Sequence, residues 1–279
     1  SATEGGSATA SAESVEQGGS VTLTATANSG YVFKNWTLGG EVVSTENPYT
    51  VTVTANSEFV ANFEAEENQS GELHNGHEYV DLGLPSGLKW ATCNVGATTP
   101  EGYGDYFAWG ETEPKATYDV SNYKWCNGTL DSITKYCTDS EYGIVDNKTM
   151  LELSDDAARV NWGGSWRMPT KAEQEELMDT DNCTWEWTTQ NGVNGYKVTS
   201  KKNGNSIFLP AAGERYNSDL NNAGSNGYYW SSSLVASYCQ CANYILFNSG
   251  SVGLYDAVRI SGQSVRAVFG EKQTFTVSV

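Results

Sequence analysis

Basic residues are scarce: 16 Lys and Arg stand against 34 Asp and Glu, a net charge of −18. A nucleic-acid binder needs a basic footprint and a membrane-surface protein a polybasic patch, so neither class is expected. No segment approaches the roughly 20 consecutive apolar residues that span a bilayer, so no membrane insertion is expected. Histidine is limited to His74 and His77. Both are expected as exposed linker residues, and a Ser-His-Asp relay would need one of them in the core. No Gly-rich loop is followed by the Lys-Ser/Thr pair that cradles phosphates. No signal peptide is visible, and the polar start at Ser1 reads as a processed or truncated chain. No cysteine precedes Cys93.

What is present favours turns, short strands and large flat side chains. Gly occurs 29 times, aromatics make up 12% of 279 residues, and 9 Trp and 16 Tyr supply burial that disordered chains lack. The acidity is uneven. Residues 211–279 hold four acids (Glu214, Asp219, Asp256, Glu271) and four bases (Arg215, Arg259, Arg266, Lys272), so the negative charge lies upstream. The six cysteines (Cys93, Cys126, Cys137, Cys183, Cys239, Cys241) permit disulfides but fix no pairing, and they are expected as free, small hydrophobes. Cys239-Gln-Cys241 lacks further ligands at zinc spacing.

Residues 1–66 are expected to form a small β-rich unit. Val21-Thr-Leu-Thr-Ala25 and Val51-Thr-Val53 alternate apolar and polar, Ser29-Gly30 and Gly39-Gly40 supply turns, and Tyr31, Phe33 and Trp36 seed a core. Gly18-Gly-Ser-Val-Thr-Leu-Thr-Ala25, Gly30-Tyr-Val-Phe-Lys-Asn-Trp36 and Phe59-Val-Ala-Asn-Phe63 resemble a divergent InlB B-repeat. Such repeats are stalk modules of bacterial surface proteins, which implies a spacer rather than chemistry. Residues 67–76 read as a polar linker. A second domain over 77–270 opens with two strands about a Pro-Ser-Gly turn. A helix is expected at Thr170–Met178, with Thr170 and Glu173 as a capping box, and another over Thr149–Val160 with Leu151, Leu153 and Ala157 inward. Elsewhere long loops are expected, tied by side-chain-to-backbone hydrogen bonds. The tail, residues 271–279, alternates like a strand and resembles the lead-in of another repeat, which suggests a chain that continues or a strand that completes a neighbouring sheet.

Asn161-Trp-Gly-Gly-Ser-Trp166-Arg-Met-Pro-Thr170-Lys-Ala-Glu173 places a glycine turn between two indoles and then launches a helix. With Val80-Asp-Leu-Gly-Leu-Pro-Ser-Gly-Leu-Lys-Trp90, Phe208-Leu-Pro-Ala-Ala-Gly213 and Tyr229-Trp-Ser-Ser-Ser233, it resembles the Fibrobacter succinogenes major paralogous domain of Bacteroidetes surface proteins. Arg167-Met-Pro-Thr-Lys-Ala-Glu173 is also similar to an element of formylglycine-generating-enzyme-like domains. The resemblance spans about residues 77–269 and implies a C-type-lectin-like fold of the formylglycine-generating type. The fold class expected is therefore α+β: a small β-rich repeat domain followed by a loop-rich lectin-like domain with few short helices.

The enzyme's chemistry is not expected to carry over, because Cys239 and Cys241 match no catalytic position of that family. The Glu-Pro-Asn, Gln-Pro-Asp and Trp-Asn-Asp elements of calcium-dependent lectins are absent. Asp139, Glu141, Asp146, Asp155 and Asp156 could hold a hard cation, but a solvated acidic face is the simpler expectation. Asp81 and Glu173 could be imagined as an acid/base pair, though turn and capping roles explain each. No catalytic residue, metal or cofactor is expected.

Residues 213–266 carry the functional expectation. Between 234 and 261 there is no Lys, Glu, Trp, Met or His. In proteins that share this ending, the resemblance implies diversification by a retroelement that substitutes at adenines, commonly of AAC codons. Those codons cannot reach Lys, Glu, Gln, Trp or Met, so Gln240 is an exception. The expected recognition positions are Asn217, Asn221, Asn222, Asn226, Tyr228, Val235, Ala236, Tyr238, Asn243, Tyr244, Leu246, Gly253, Leu254, Tyr255, Asp256, Ala257, Val258, Ile260 and Ser261. Tyr228, Tyr238, Tyr244, Leu254 and Tyr255 are the expected anchors. Trp230, Phe247, Gly250, Val252, Gly262 and Val265 read as frame. The function expected is a cell-surface ligand-binding protein, adhesin or receptor-like, anchored as an outer-membrane lipoprotein or secreted. Its partner would be a protein or glycan, typically on another cell. The alternatives are a structural or pilus-associated subunit and, behind it, an enzyme related to formylglycine-generating catalysts.

Overall fold

The computed structural model describes residues 1–28, 31–65 and 72–270, and the chain divides into two compact units, Ser1–Ser70 and Gly71–Val279. The Ser29-Gly30 turn, the first half of the expected linker (residues 67–71) and the tail lie outside the described residues.

The first unit holds β1 (Gly6–Ala10), β2 (Ser20–Ala27), β3 (Tyr31–Leu38), β4 (Glu41–Ser44), β5 (Tyr49–Thr52) and β6 (Phe59–Ala65). They form two antiparallel sheets, ordered β1-β2-β5 and β4-β3-β6. The period of two along β2 turns Val21, Leu23 and Ala25 into a core shared with Trp36, Ala61 and Phe63. The β3–β4 hairpin turns through Gly39 and Gly40, both at positive φ. Asn47 pairs with β2 as a strand would: its Oδ1 accepts from Ala25 N at 2.9 Å and its Nδ2 donates to Ala25 O at 2.8 Å.

The second unit opens with β7 (Glu72–His74), β8 (His77–Asp81) and β9 (Lys89–Asn94). Residues 72–76, expected in a linker, are therefore a strand and turn of the first sheet. The helices are α1 (Ala157–Trp162) and α2 (Lys171–Met178). They are followed by β10 (Cys183–Gln190), β11 (Val193–Ser200), β12 (Ser206–Pro210), β13 (Glu214–Tyr216), β14 (Asp219–Asn221), β15 (Asn226–Leu234), β16 (Cys241–Asn248), β17 (Ser251–Val258) and β18 (Arg266–Phe269). The sheets run β18-β9-β8-β7, β10-β11-β12, β13-β14 and β15-β16-β17, with every paired strand antiparallel.

The α+β class is corrected by this arrangement. Strands dominate both units, and among the described residues the α-helices are one of six residues and one of eight. Elements that short cannot form a layer of their own. The helix expected over Thr149–Val160 is replaced by a 3-10 turn at Leu153–Asp155 and by α1, because Asp156 takes an extended conformation and caps α1 through Arg159 N at 3.0 Å. Leu153, expected inward, is 54% exposed. At α2 the capping box forms with Thr170 and Glu173. Glu173 also takes Arg167 in two 2.7 Å bonds.

Residues 95–150 contain almost no regular structure, so their carbonyls need other donors. Backbone N–H groups in turns and neighbouring strands supply some, as Asp105 N does for Val95 O and Asn217 N for Tyr118 O, and side chains supply others. Trp230 Nε1 donates to Phe107 O at 2.9 Å and Tyr123 OH to Trp109 O at 2.7 Å, while Trp109 Nε1 ties the loop to β15 by donating to Ser231 O at 2.8 Å. Two fully buried arginines extend this. Arg266 serves the carbonyls of Ala91, Thr92 and Phe208 and the side chain of Asn94. Arg259 serves Lys135 O, Tyr136 O, Cys239 O and Tyr123 OH at 2.9–3.1 Å, beneath the Trp109 ring 5.0 Å away. Truncating Arg259 to Ala leaves buried carbonyls without donors and is expected to lower unfolding stability by on the order of 3–5 kcal/mol. Denaturant titration checks this, and a loss under about 1 kcal/mol would mean that the guanidinium is not a structural hub.

Candidate functional site

The sheet β15-β16-β17 lies between two cores. Tyr228, Trp230, Ala242 and Tyr244 join one cluster; Tyr229, Ile245 and Phe247 join the other. Packing on both faces explains why apolar residues run through this segment without a settled period. It also explains much of the missing charge, since ions are excluded from such positions.

The nineteen expected positions therefore separate by depth. Asn217, Asn221, Asn222, Ala236, Tyr238, Tyr255 and Asp256 are exposed. Asn226, Val235, Asn243, Leu246, Gly253, Leu254, Ala257 and Val258 are half-buried. Tyr228 and Tyr244 (7% each), Ile260 (5%) and Ser261 (4%) are buried. Of the five anchors, only Tyr238 and Tyr255 are open to a partner; Leu254 packs against the second core.

The depths are connected across strands. The β13–β14 hairpin hands Asn222 to the Tyr228 hydroxyl, which also takes Asn226, at 3.0 and 3.2 Å. Tyr228 stacks on Tyr244 with centroids 5.9 Å apart, and Tyr244 meets Tyr255 at 6.4 Å. The register supports this row: Trp230, Tyr244 and Tyr255 are cross-strand partners on β15, β16 and β17. Glu214 borders it through the parallel bridge of Gly213 with Gly227. Burial raises the Glu214 carboxyl above its ordinary range. The turn before β16 presents Tyr238, edge-on to Tyr142 at 5.3 Å.

Between 213 and 266, four residues cannot be reached from AAC: Glu214, Trp230, Gln240 and Gln263. None is exposed, and Trp230, Gln240 and Gln263 are 0%, 4% and 0% exposed. Gln240 Nε2 donates to Leu130 O at 2.8 Å and to Asp131 Oδ1 at 2.7 Å, which makes it a frame residue. Arg259 is also frame, although it sits among the expected variable positions. Sequence reasoning missed both roles, because a polar residue inside a low-charge segment looks exposed until its carbonyl partners are known. The frame residues Phe247 and Val265 are fully buried, whereas Gly250 is exposed.

The other candidate groups do not converge. Asp155 is held by Lys135, Lys124 and the Tyr136 hydroxyl. Asp146 accepts from Tyr136 N and Cys137 N, and Asp139 accepts from Glu141 N. No group of three His, Cys, Asp or Glu with metal-holding geometry occurs among the described residues. Asp81 pairs with Lys89 and accepts from Gly83 N, while Glu173 caps α2. The histidines are not exposed as expected: His74 stacks on Phe269 and His77 on Trp162, both with centroids 4.0 Å apart. Burial lowers the His77 pKa. Cys241 begins β16, and burial pushes its thiol up to about 11. An open groove of about 710 Å³ belongs to the first unit and is walled by Val21, Leu23, Val53 and Phe59, remote in sequence from all of these residues. No described helix is long and apolar enough to cross a membrane.

Residues 1–67 match the family model of the divergent InlB B-repeat domain. No curated protein and no solved structure matches the chain.

Burial pushes the Asp156 carboxyl up to about 6, against the hydrogen bonds from Arg159 N and Met168 N that favour its charge. A raised native pKa means that the folded chain holds this proton more tightly than the unfolded one. The group's contribution is then full below pH ~4 and lost as pH rises through ~6, a change on the order of 3 kcal/mol. Carboxyl NMR should give a midpoint near 6 for Asp156, and Asp156→Asn should flatten stability over that window. A midpoint near 4 would contradict the burial argument.

Proposed function

We propose that this chain is a bacterial cell-surface binding protein, adhesin or receptor-like, whose second unit presents a recognition surface from residues 213–266. The repeat at residues 1–67 serves as its spacer. The surface comprises the exposed β13–β14 hairpin, the turn carrying Tyr238 and the outer strand β17 with Tyr255 and Asp256. Its positions are diversified by adenine-directed substitution, in keeping with the chain's resemblance to the paralogous domain of Bacteroidetes surface proteins.

One observation carries this reading. Every exposed residue between 213 and 266 is of a type that AAC codons reach, while of the four unreachable residues Trp230, Gln240 and Gln263 are buried and Glu214 is half-buried. Burial alone would not select that set, since Lys and Glu are the commonest tenants of exposed positions. Exposed Tyr, Asn, Ser and Gly suit an adaptable contact surface, and Tyr gives area at modest entropy cost. The partner is a protein or glycan met at short range, because the segment has no net charge with which to steer it. The chain carries out no chemistry in this reading. The thiols of Cys137 and Cys241 are held protonated by burial, which disfavours copper or nucleophilic use.

The test screens the intact chain on an array of glycans and cell-surface proteins, then repeats each hit with Tyr238→Ala/Tyr255→Ala. Both rings are about half exposed, so the double variant should keep its Tm within about 3 °C while capture falls at least about tenfold. Hits that survive the double variant unchanged would remove these residues from the site. An array with no hits would favour a structural subunit.

A further inference from the structure

Cys137 and Cys239 lie 102 positions apart in sequence, yet their sulfurs are 2.9 Å apart, closer than unbonded sulfurs normally pack. Both are fully buried. Among the described residues no other two cysteine sulfurs are in hydrogen-bond contact.

The approach is set by groups other than the sulfurs. One Arg259 nitrogen donates to both Tyr136 O, at 3.1 Å, and Cys239 O, at 3.0 Å, and so clamps the two main chains side by side. Thr138 Oγ1 donates to Ala236 O at 2.7 Å, and Gln240 reaches Leu130 and Asp131. The Tyr142–Tyr238 edge contact closes the far side. Asp146 fixes the other flank by accepting from Cys137 N at 3.0 Å. Two loops without regular structure are thus held in one register, with a thiol from each at the centre.

We propose that Cys137 and Cys239 are a disulfide-forming pair that covalently ties the turn presenting Tyr238 to the loop of residues 130–147. An external disulfide is the oxidant. One cysteine thiolate attacks it and releases a thiol, forming a mixed disulfide; the second cysteine sulfur then displaces the remaining thiol. Two protein thiols and one external disulfide give one protein disulfide and two free thiols, so atoms and electrons balance. In the folded state burial pushes the Cys137 thiol up to about 11 and leaves little thiolate. The exchange therefore completes while the loops are still opening, and the same burial afterwards shields the bond from reductants. The crosslink closes a long loop, for which chain entropy favours a large stabilisation.

The experiment incubates the intact chain in an oxidising glutathione buffer, blocks free thiols under denaturing conditions and maps the peptides without reduction. The expected result is one linked peptide pair containing Cys137 and Cys239, with Cys93, Cys126, Cys183 and Cys241 alkylated. Reduction should lower Tm by on the order of 5–10 °C. A Cys239→Ser chain should lose that reductant sensitivity, while Cys183→Ser keeps it. Mapping the wild-type chain decides the matter even if a variant fails to fold. Alkylation of both Cys137 and Cys239, or linkage of either to another cysteine, would overturn the proposal.

Discussion

A buried guanidinium with no carboxylate beside it holds the second unit together. Arg259 lies at the centre of the loops that regular structure does not organise, and its donors go to Lys135 O, Tyr136 O, Cys239 O and Tyr123 OH. Taking a cation out of water costs several kcal/mol, which three carbonyl dipoles and the faces of Trp109, Tyr123 and Tyr136 offset. A Lys would offer a compact point charge without the planar fork that spans separate chains. Arg266 repeats the device where β9, β12 and β18 meet, with Asn94 as its polar partner. Both arginines lie in the final fifth of the chain, so the loops of 95–150 and the β9–β12 junction are each tied to its last strands by contacts distant in sequence.

That dependence shows which parts of the sequence were legible. Local signals were readable: alternation gave β2 and β5, Thr170 with Glu173 gave α2, and Gly163 and Gly164 gave the turn that brings Trp162 and Trp166 to 5.2 Å. The InlB-type repeat was readable because the motifs at residues 18–25, 30–36 and 59–63 resemble that family, whose model matches residues 1–67. Long-range features were not. The α+β class gave too much weight to two helices that are short, and the Thr149–Val160 pattern hid a break at Asp156, whose carboxyl caps rather than continues a helix. The histidines were misplaced because their stacking partners, Trp162 and Phe269, are distant in sequence.

The segment proposed for recognition, residues 213–266, joins these two levels. Its lack of charge has two causes that composition cannot separate: β15 and β16 are packed on both faces, and the hairpin, turn and outer strand beside them are open. Tyr228 and Tyr244 belong to the first cause, Tyr238 and Tyr255 to the second. The row from Asn222 through Tyr228 and Tyr244 to Tyr255 links them, so rigid rings support the exposed ones. Such support lets a surface change its contacts without changing its shape. Gln240, which does not fit the codon pattern, is buried and bonded to Leu130 and Asp131, where variation would break the frame.

Residues 213–266 hold a fixed frame and a free surface, separated by burial. Saturation mutagenesis of residues 213–266, with sorting for folded display, tests it most directly. Broad tolerance is expected at Asn221, Tyr238, Tyr255 and Asp256, and depletion at Trp230, Gln240, Phe247, Arg259 and Val265. Equal tolerance across both sets, or depletion centred on the exposed residues, would contradict it.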